Sequence, residues 1–461
     1  MHTNTKEAYK LLHDGILALE QAERQGLQID LKYIEKTFTD IDKKVEELEN
    51  SIYASKFYKK WKESRNNKKP NIYSSTQLSK YLYDVRGIKV KKETKKGGRS
   101  TDEETLRLLN IPELNTFLEI KKLKKVKDYL DQYKREQVNG IIHPFFNLHS
   151  VRTFRSSSDR PNFQNVPKRD KESMQIVRRA IYPRKDHQFL ELDYSQLEVR
   201  IAACYSKDKK LTDDILNGDM HGDMAKEIFK IRNFDRSTPE HNYLRAATKN
   251  GFVFPQFYGS YYKNCAINLA CEWCKLPQGR FKSETGVMIN KNNYLSDHLI
   301  KKGLGSFLLF ERHIQKIEDY FWGERYNVHA DWRDNIWNEY QKNGYVTSHT
   351  GFTFQGVMSR NDVSNYPVQG AAFHCLLWSL IEGTKAFKRE KFDSVIVGQI
   401  HDAIVIDLNP KELDRVLKIM ECIMCNDVRQ HWQWITVPLE IEAEICPVNG
   451  SWADKNEIKI H

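Results

Sequence analysis

The sequence predicts an α+β protein whose strand-forming core is split by an inserted helical region. Three observations carry this. Runs rich in β-branched and aromatic residues fall in two blocks, from IIHPFFNLHSV to HQFLELDYS and from GYVTSHTGFTFQG to VPLEIEAEIC. Between them, residues 207–343 show mainly helical spacing of apolar positions. Residues 1–140 are also helical in pattern, and they carry the basic charge. Helices segregated from strands mark an α+β fold, not a regular alternation.

The elements follow in order. YKLLHDGILALEQAERQG reads as a helix ended by Gly26. A second helix begins at LKYIEK with Asp30 as its N-cap. SSTQLSKYLYDVRG is a short helix closed by Gly87, and STDEETLRLLN opens on a Ser100/Glu103 capping-box pattern. ELNTFLEIKKLKKVKDYLDQYKRE is a long amphipathic helix. HQFLELDYS is a buried strand ending near Asp193, after which QLEVRIAACYS changes to helical periodicity. A helix from about Val368 to Arg389 precedes the run SVIVGQIHDAIVID. That run reads as a hairpin with His401 and Asp402 at its tip, though it lacks the usual Asn-Gly or Asp-Gly turn. A carboxylate at the tip of a hairpin buried on both sides calls for a positive partner.

With 461 residues, 40% hydrophobic and 29% charged, the chain is long enough for two or three globular domains. No apolar run approaches the roughly 18 residues of a membrane span, and MHTNTKEAYKLLHDG has no signal-peptide core. A soluble, intracellular protein is expected. Two CxxC pairs, Cys271/Cys274 and Cys422/Cys425, lack further ligands at zinc-finger spacing and read as packing cysteines. The net charge is +11, but residues 56–99 hold 15 Lys/Arg against 3 Asp/Glu. Such a stretch, with aromatics interleaved, is either a solvated loop or a grip on nucleic-acid phosphates.

Asp193 and Asp402 converge if their strands are neighbours in one sheet. Paired carboxylates fit a metal site, a glycosidase pair, or unrelated acids at strand ends. A polyanionic substrate, suggested by the basic stretch, favours Mg²⁺-assisted phosphoryl transfer. Asp407, five residues past the tip, lies some ~16 Å along the strand and reads as structural.

These residues carry a resemblance. LDYSQLEVRIAA (192–203) and QIHDAIVID (399–407) resemble the two carboxylate motifs of family A DNA polymerases, the bacterial DNA polymerase I and phage replicative group. HSVRTFRSSSDRPNFQNVP (149–167) is similar to the family's primer-template segment. GDMHGDMAKEIF (218–229), RAATKNGFVFPQFYGS (245–260) and NYPVQGAA (365–372) are similar to its fingers and template motifs, in the family's order. KKGGRSTDEETL and LEIKKLKKVKDYL resemble its thumb.

The resemblance implies a right-hand polymerase with an antiparallel-sheet palm, helical fingers and a helical thumb. Residues 1–140 would be thumb and connecting helices, 141–206 the first part of the palm, 207–348 the fingers, and 349–461 the second part of the palm. Asp193 and Asp402, with the Tyr194 carbonyl, would hold two Mg²⁺ ions, for which Mn²⁺ can substitute. His221, Arg245 and Lys249 would contact the triphosphate of an incoming dNTP. Phe254 would lie on its sugar and Tyr258 near the templating base, with Gln196 also at the nucleotide. Glu198 would be the steric gate against a ribose 2′-hydroxyl. Arg155, Asn162, Gln164, Asn365, Gln369 and His401 would contact primer-template DNA, checking pair geometry through minor-groove acceptors.

Three departures stand out. Ala403 follows Asp402 where the bacterial enzymes usually carry Glu, which implies activity with altered metal preference. Phe154 replaces the usual glycine before Arg155. The fingers helix holds one extra residue between Lys249 and Phe254, which a π-bulge can absorb. The helix GILALEQAERQGLQID, similar to the segment after a proofreading domain, starts near residue 15, so proofreading is expected to come from a separate exonuclease if at all. The compact motif set suggests phage or plasmid replication, a cytoplasmic, DNA-associated location, and a possible processivity subunit as partner. The rival reading is a catalytically weak DNA-binding subunit of a replication complex.

Overall fold

The computed structural model describes residues 5–90, 93, 97–109, 111–167 and 170–460. Contacts divide the chain into two units: Met1–Ile29, Glu136–Val166 and Ile181–His461 form the larger, and Asp30–Arg135 with Pro167–Ala180 the smaller.

The smaller unit is helical. Asp30 caps helix Leu31–Ala54 by accepting from the Tyr33 N–H at 2.9 Å. The helix Glu103–Leu108 is capped by Asp102, which accepts from the Thr105 N–H at 2.8 Å. Ser100, two residues further back, accepts from the Asp102 N–H at 3.1 Å. The Ser100/Glu103 box expected from sequence is therefore replaced by an Asp cap, because the helix begins later. In the basic stretch, the interleaved aromatics Phe57, Tyr58, Trp61, Tyr81 and Tyr83 are core and not a stacking surface for bases, while Tyr73 is exposed. Trp61 stacks on Tyr81 with centroids 5.4 Å apart, and Phe57 meets Tyr81 edge-on at 5.1 Å. On the helix Lys56–Glu63 the three aromatics are buried, and Lys56, Lys59 and Lys60 are left to solvent beside Glu63.

The larger unit is built on a five-stranded sheet in which every pairing is antiparallel. Its strand order is Val395–Ile400, Ala403–Leu408, Gln188–Tyr194, Ile441–Ile445, Asn456–Ile458. The central strands are near-continuously apolar because both faces are covered. The 31-residue helix Arg360–Glu390 contributes to this cover: the buried Tyr194 hydroxyl meets Ser379 Oγ at 2.9 Å. The helix Thr5–Gln25 belongs to this unit, not with the helices up to residue 140. Gly15 lies close against helix Arg360–Glu390: a Cβ there would meet the Leu377 side chain at 2.9 Å, which would have to shift.

The expected hairpin forms, with Ile400 paired to Ala403 and only His401 and Asp402 in the turn. His401 takes φ +53°, the left-handed state that a two-residue turn requires. The flanking strands are buried, but the tip is not: His401 is exposed and Asp402 half-buried. Asp407 is buried and held by His187 Nδ1 at 2.6 Å and Arg184 Nε at 3.1 Å, a structural anchor as expected. Among the described residues, no helix is long and apolar enough to cross a membrane.

Candidate active site

Asp193 and Asp402 are brought together by strand pairing. Asp193 lies opposite Ala403 in the ladder, and the Tyr194 N–H donates to the Asp402 carbonyl at 3.1 Å. Both carboxylates therefore sit at one end of the sheet, on neighbouring strands. On the other side of Asp193, Glu442 is its direct cross-strand partner, so the two side chains share a face. This acid was not singled out in the sequence, because only the sheet register relates it to Asp193.

The positive partner of Asp402 is Arg155. Its Nη2 lies 3.4 Å from Asp402 Oδ1 and 3.0 Å from Glu198 Oε1. Arg155 is aimed by Phe154, which adopts φ +55°. That is a conformation natural to glycine, and its cost here is offset by packing: the Phe154 ring lies 4.9 Å from Phe352 and 5.3 Å from Phe354.

The cation cluster forms on the helical insertion. Helix Pro239–Thr248 continues as a π turn over Lys249–Val253 and then as a helix over Phe254–Phe257. The π turn takes up the extra residue and keeps Lys249 and Phe254 on one face, with Lys249 Nζ 5.2 Å from the Phe254 ring centroid. His221 meets the same ring edge-on at 5.7 Å. It is 3% exposed, and neither ring nitrogen has a hydrogen-bond partner among the described residues. Burial, with Lys249 and Arg245 beside it, pushes its pKa down to about 3. Arg245 is already held by Asp219, with Nη2 to Oδ1 at 2.8 Å. Burial opposes ionisation of Asp219, but Arg245, the Gly222 N–H and Arg236 outweigh it and hold the carboxyl below its usual range. A Cβ at Gly222 would meet Asp219 Oδ2 at 2.3 Å, so any larger residue there would move Asp219 from its place beside Arg245.

Glu198, Phe254, Tyr258, Asn365 and Gln369 line one cavity. Asn365 Nδ2 donates to the Tyr258 carbonyl at 3.2 Å. His329, Trp332 and Arg333 line it too, and no motif in the sequence flagged them. Gln196 takes φ +53° at the start of the helix Leu197–Ser206, which carries Glu198. Gln164 Nε2 and Ser156 Oγ both donate to Gln399 Oε1, which ties the 149–167 segment to the hairpin that ends at His401. Asn162 forms a local turn, accepting from the Asn165 N–H at 3.0 Å.

The acids brought to this end of the sheet, Asp193, Asp402 and Glu442, offer hard oxygen donors. Among the described residues, no group of three or more His, Cys, Asp or Glu is placed to hold a metal ion. A site with few protein ligands suits Mg²⁺, which keeps its waters and takes substrate phosphates. The residues fit that ion if the substrate completes its shell.

Comparison with known proteins agrees with the motifs. The DNA polymerase family A model matches residues 31–274 and 311–454. The chain is 27% identical over 364 residues to DNA polymerase I of Aquifex aeolicus (strain VF5), covering 78% of this chain and 54% of that protein. It is 24% identical over 456 residues to DNA polymerase I of Geobacillus stearothermophilus, covering 95% and 45% respectively. The chain thus spans about half the length of the curated relatives it matches. The POL domain of Pol1 from M. smegmatis, solved in complex with DNA primer-template and dNTP, has the same fold: TM-score 0.72 at 22% identity, over 95% of this chain and 70% of that one. By the extent of the family match, the chain belongs to DNA polymerase family A.

Proposed function

We propose that this chain is a template-directed DNA polymerase, adding deoxynucleotides to a primer 3′-hydroxyl. The carrying observation is the juxtaposition of Asp193 and Asp402 at one end of an antiparallel sheet. The sheet unit would be the palm, the helical insertion the fingers and the smaller unit the thumb. Replication of a phage or plasmid genome is the setting we read from its compact motif set.

Two Mg²⁺ ions, or Mn²⁺, would activate the primer hydroxyl and stabilise charge on the attacked phosphate. The chain's own groups do the rest. Asp193 and Asp402 hold negative charge where those ions bind. Lys249 and Arg245 neutralise the triphosphate, and His221 donates to it from a pocket that leaves its nitrogens otherwise unpaired. The Phe254 ring fixes the sugar, Gln196 lies at the nucleotide, and Tyr258 stands at the templating base. Arg155, Asn162, Gln164, Asn365, Gln369 and His401 hold the primer-template duplex.

Offering one primer on four templates that differ only in the first unpaired base tests this reading. Each should direct incorporation of its complement. The same nucleotide added on all four, or none added by a DNA-binding chain, overturns it and favours a binding subunit.

Two local predictions follow from the geometry. Glu198→Ala should raise ribonucleotide use relative to deoxynucleotides by about 100-fold, while Glu198→Gln, of equal size, should not. Competition assays with paired nucleotides read this ratio, and an unchanged ratio in the alanine variant refutes the gate. Deleting the exposed Asn250 removes the π turn's extra residue, and a regular α turn then keeps Lys249 and Phe254 on one face. Extension should stay within about tenfold of wild type, whereas inserting an alanine there rotates Lys249 by about 100° and should cost about 100-fold. Equal losses in both variants would contradict the register argument.

A further inference from the structure

The family match passes over residues 275–310 and resumes beyond them. This segment is folded. Leu276, Phe281, Ile289, Leu295, Leu299 and Leu304 are its buried core. Its ends are closed on each other: the Phe281 N–H donates to the Gly305 carbonyl and the Phe307 N–H to the Gly279 carbonyl, both at 2.9 Å. His298 Nε2 fixes it to the Phe229 carbonyl at 2.9 Å, at the end of the helix that carries His221.

Its charge is one-sided. Lys275, Arg280, Lys282, Lys291, Lys301 and Lys302 face Glu284 and Asp297 as the only acids of the segment. All six cations are exposed. None is in an ion pair among the described residues, while Asp297 is used internally, accepting from Ser283 Oγ and the Glu284 N–H. Outside residues 56–99 the chain is close to neutral, so this excess is local. An excess of exposed cations outside ion pairs on an ordered module attracts a polyanion.

We propose that residues 275–306 are a module that grips the single-stranded template ahead of the active site by its phosphates. This rests on the polymerase reading. In it, Tyr258 stands at the templating base, and the chain runs from Tyr258 through the helical stretch Tyr262–Trp273 directly into the module. Exposed aromatic rings lie along that path: Tyr261 is 50% exposed, and Tyr243, 37% exposed, donates its hydroxyl to the Trp273 carbonyl at 2.7 Å. Cations combined with aromatic faces are the pattern that holds single strands irrespective of sequence.

The test compares two primer-templates, one with a 5′ template overhang of about a dozen nucleotides and one with a single-nucleotide overhang. Binding constants are measured against salt for wild type, for a variant with all six cations changed to Gln, and for a chain with residues 281–305 replaced by Gly-Gly across the closed ends. The long overhang should steepen the wild-type slope of log K against log salt, and both variants should lower it by about 3–4. The slope on the short overhang should be the same in all three chains. Equal wild-type slopes on both substrates, or equal losses on both in the variants, overturn the module. A wild-type chain that binds neither substrate would instead overturn the polymerase reading on which the module depends.

Discussion

Asp402→Ala and Asp193→Ala are each expected to lower single-turnover nucleotide incorporation by at least ~10³-fold, about 4 kcal/mol in the barrier. Primer-template affinity should stay within about tenfold. The asymmetry follows from where the residues lie. They sit half-buried at the end of the sheet, outside its packed core, so truncation leaves the strands intact. Removing a carboxylate also makes the site less negative, which does not oppose DNA. What is lost is the charge that holds divalent cations against the phosphate. In Asp402→Ala, Arg155 keeps its contact with Glu198 at 3.0 Å. Asp402→Asn should fail nearly as badly, because shape without charge does not bind the ion. Rapid-quench incorporation beside fluorescence anisotropy separates the two effects. Near-wild-type incorporation by either alanine variant would remove these residues from the chemistry.

Acid should unfold the chain steeply. His221, His329 and His374 are buried, and burial lowers each pKa from 6.5 to about 3. Each is neutral in the fold but takes a proton in the unfolded chain below about pH 6.5. Between those values the unfolded state binds more protons, so stability falls as pH falls, by up to about 1.4 kcal/mol per pH unit for each histidine. Asp219 and Asp223, held below their usual range, act in the same direction at lower pH, losing their contribution as they protonate. Urea midpoints measured from pH 7 to pH 4 check this. His329 sits among Trp322, Phe257 and Trp332 with ring centroids 5.2–5.5 Å away, so His329→Phe should fold and remove one histidine's share of the slope. A midpoint that is flat down to pH 4 would contradict the account.

Much of the site was legible in the sequence because the chemistry is local to short motifs. The hairpin around His401 and Asp402, the strand ending near Asp193 and the cationic helix each showed in periodicity and residue type. The extra residue between Lys249 and Phe254 pointed to a π turn, and one is present. Other features depend on tertiary placement and left no local mark. Glu442 reaches Asp193 only through strand register. The Arg155 bridge to Glu198 and Asp402 links three distant segments. His329, Trp332 and Arg333 join the cavity from a helix whose pattern reads only as amphipathic. The aromatics among the lysines of 56–99 looked like a nucleic-acid surface, but all except Tyr73 are buried, with Trp61 stacked on Tyr81. Sequence also left Phe154 as an oddity, whereas its positive φ and its ring contacts explain how it replaces a glycine.

The central claim is that the carboxylate pair at the sheet end is the metal-dependent centre. Its most direct test is a Mn²⁺ titration, followed by electron paramagnetic resonance, of the chain with a 3′-deoxy primer-template and the complementary dNTP. The account predicts Mn²⁺ bound to the wild-type complex and lost, beyond what the nucleotide itself carries, in Asp193→Ala. An identical titration in the two chains would contradict it.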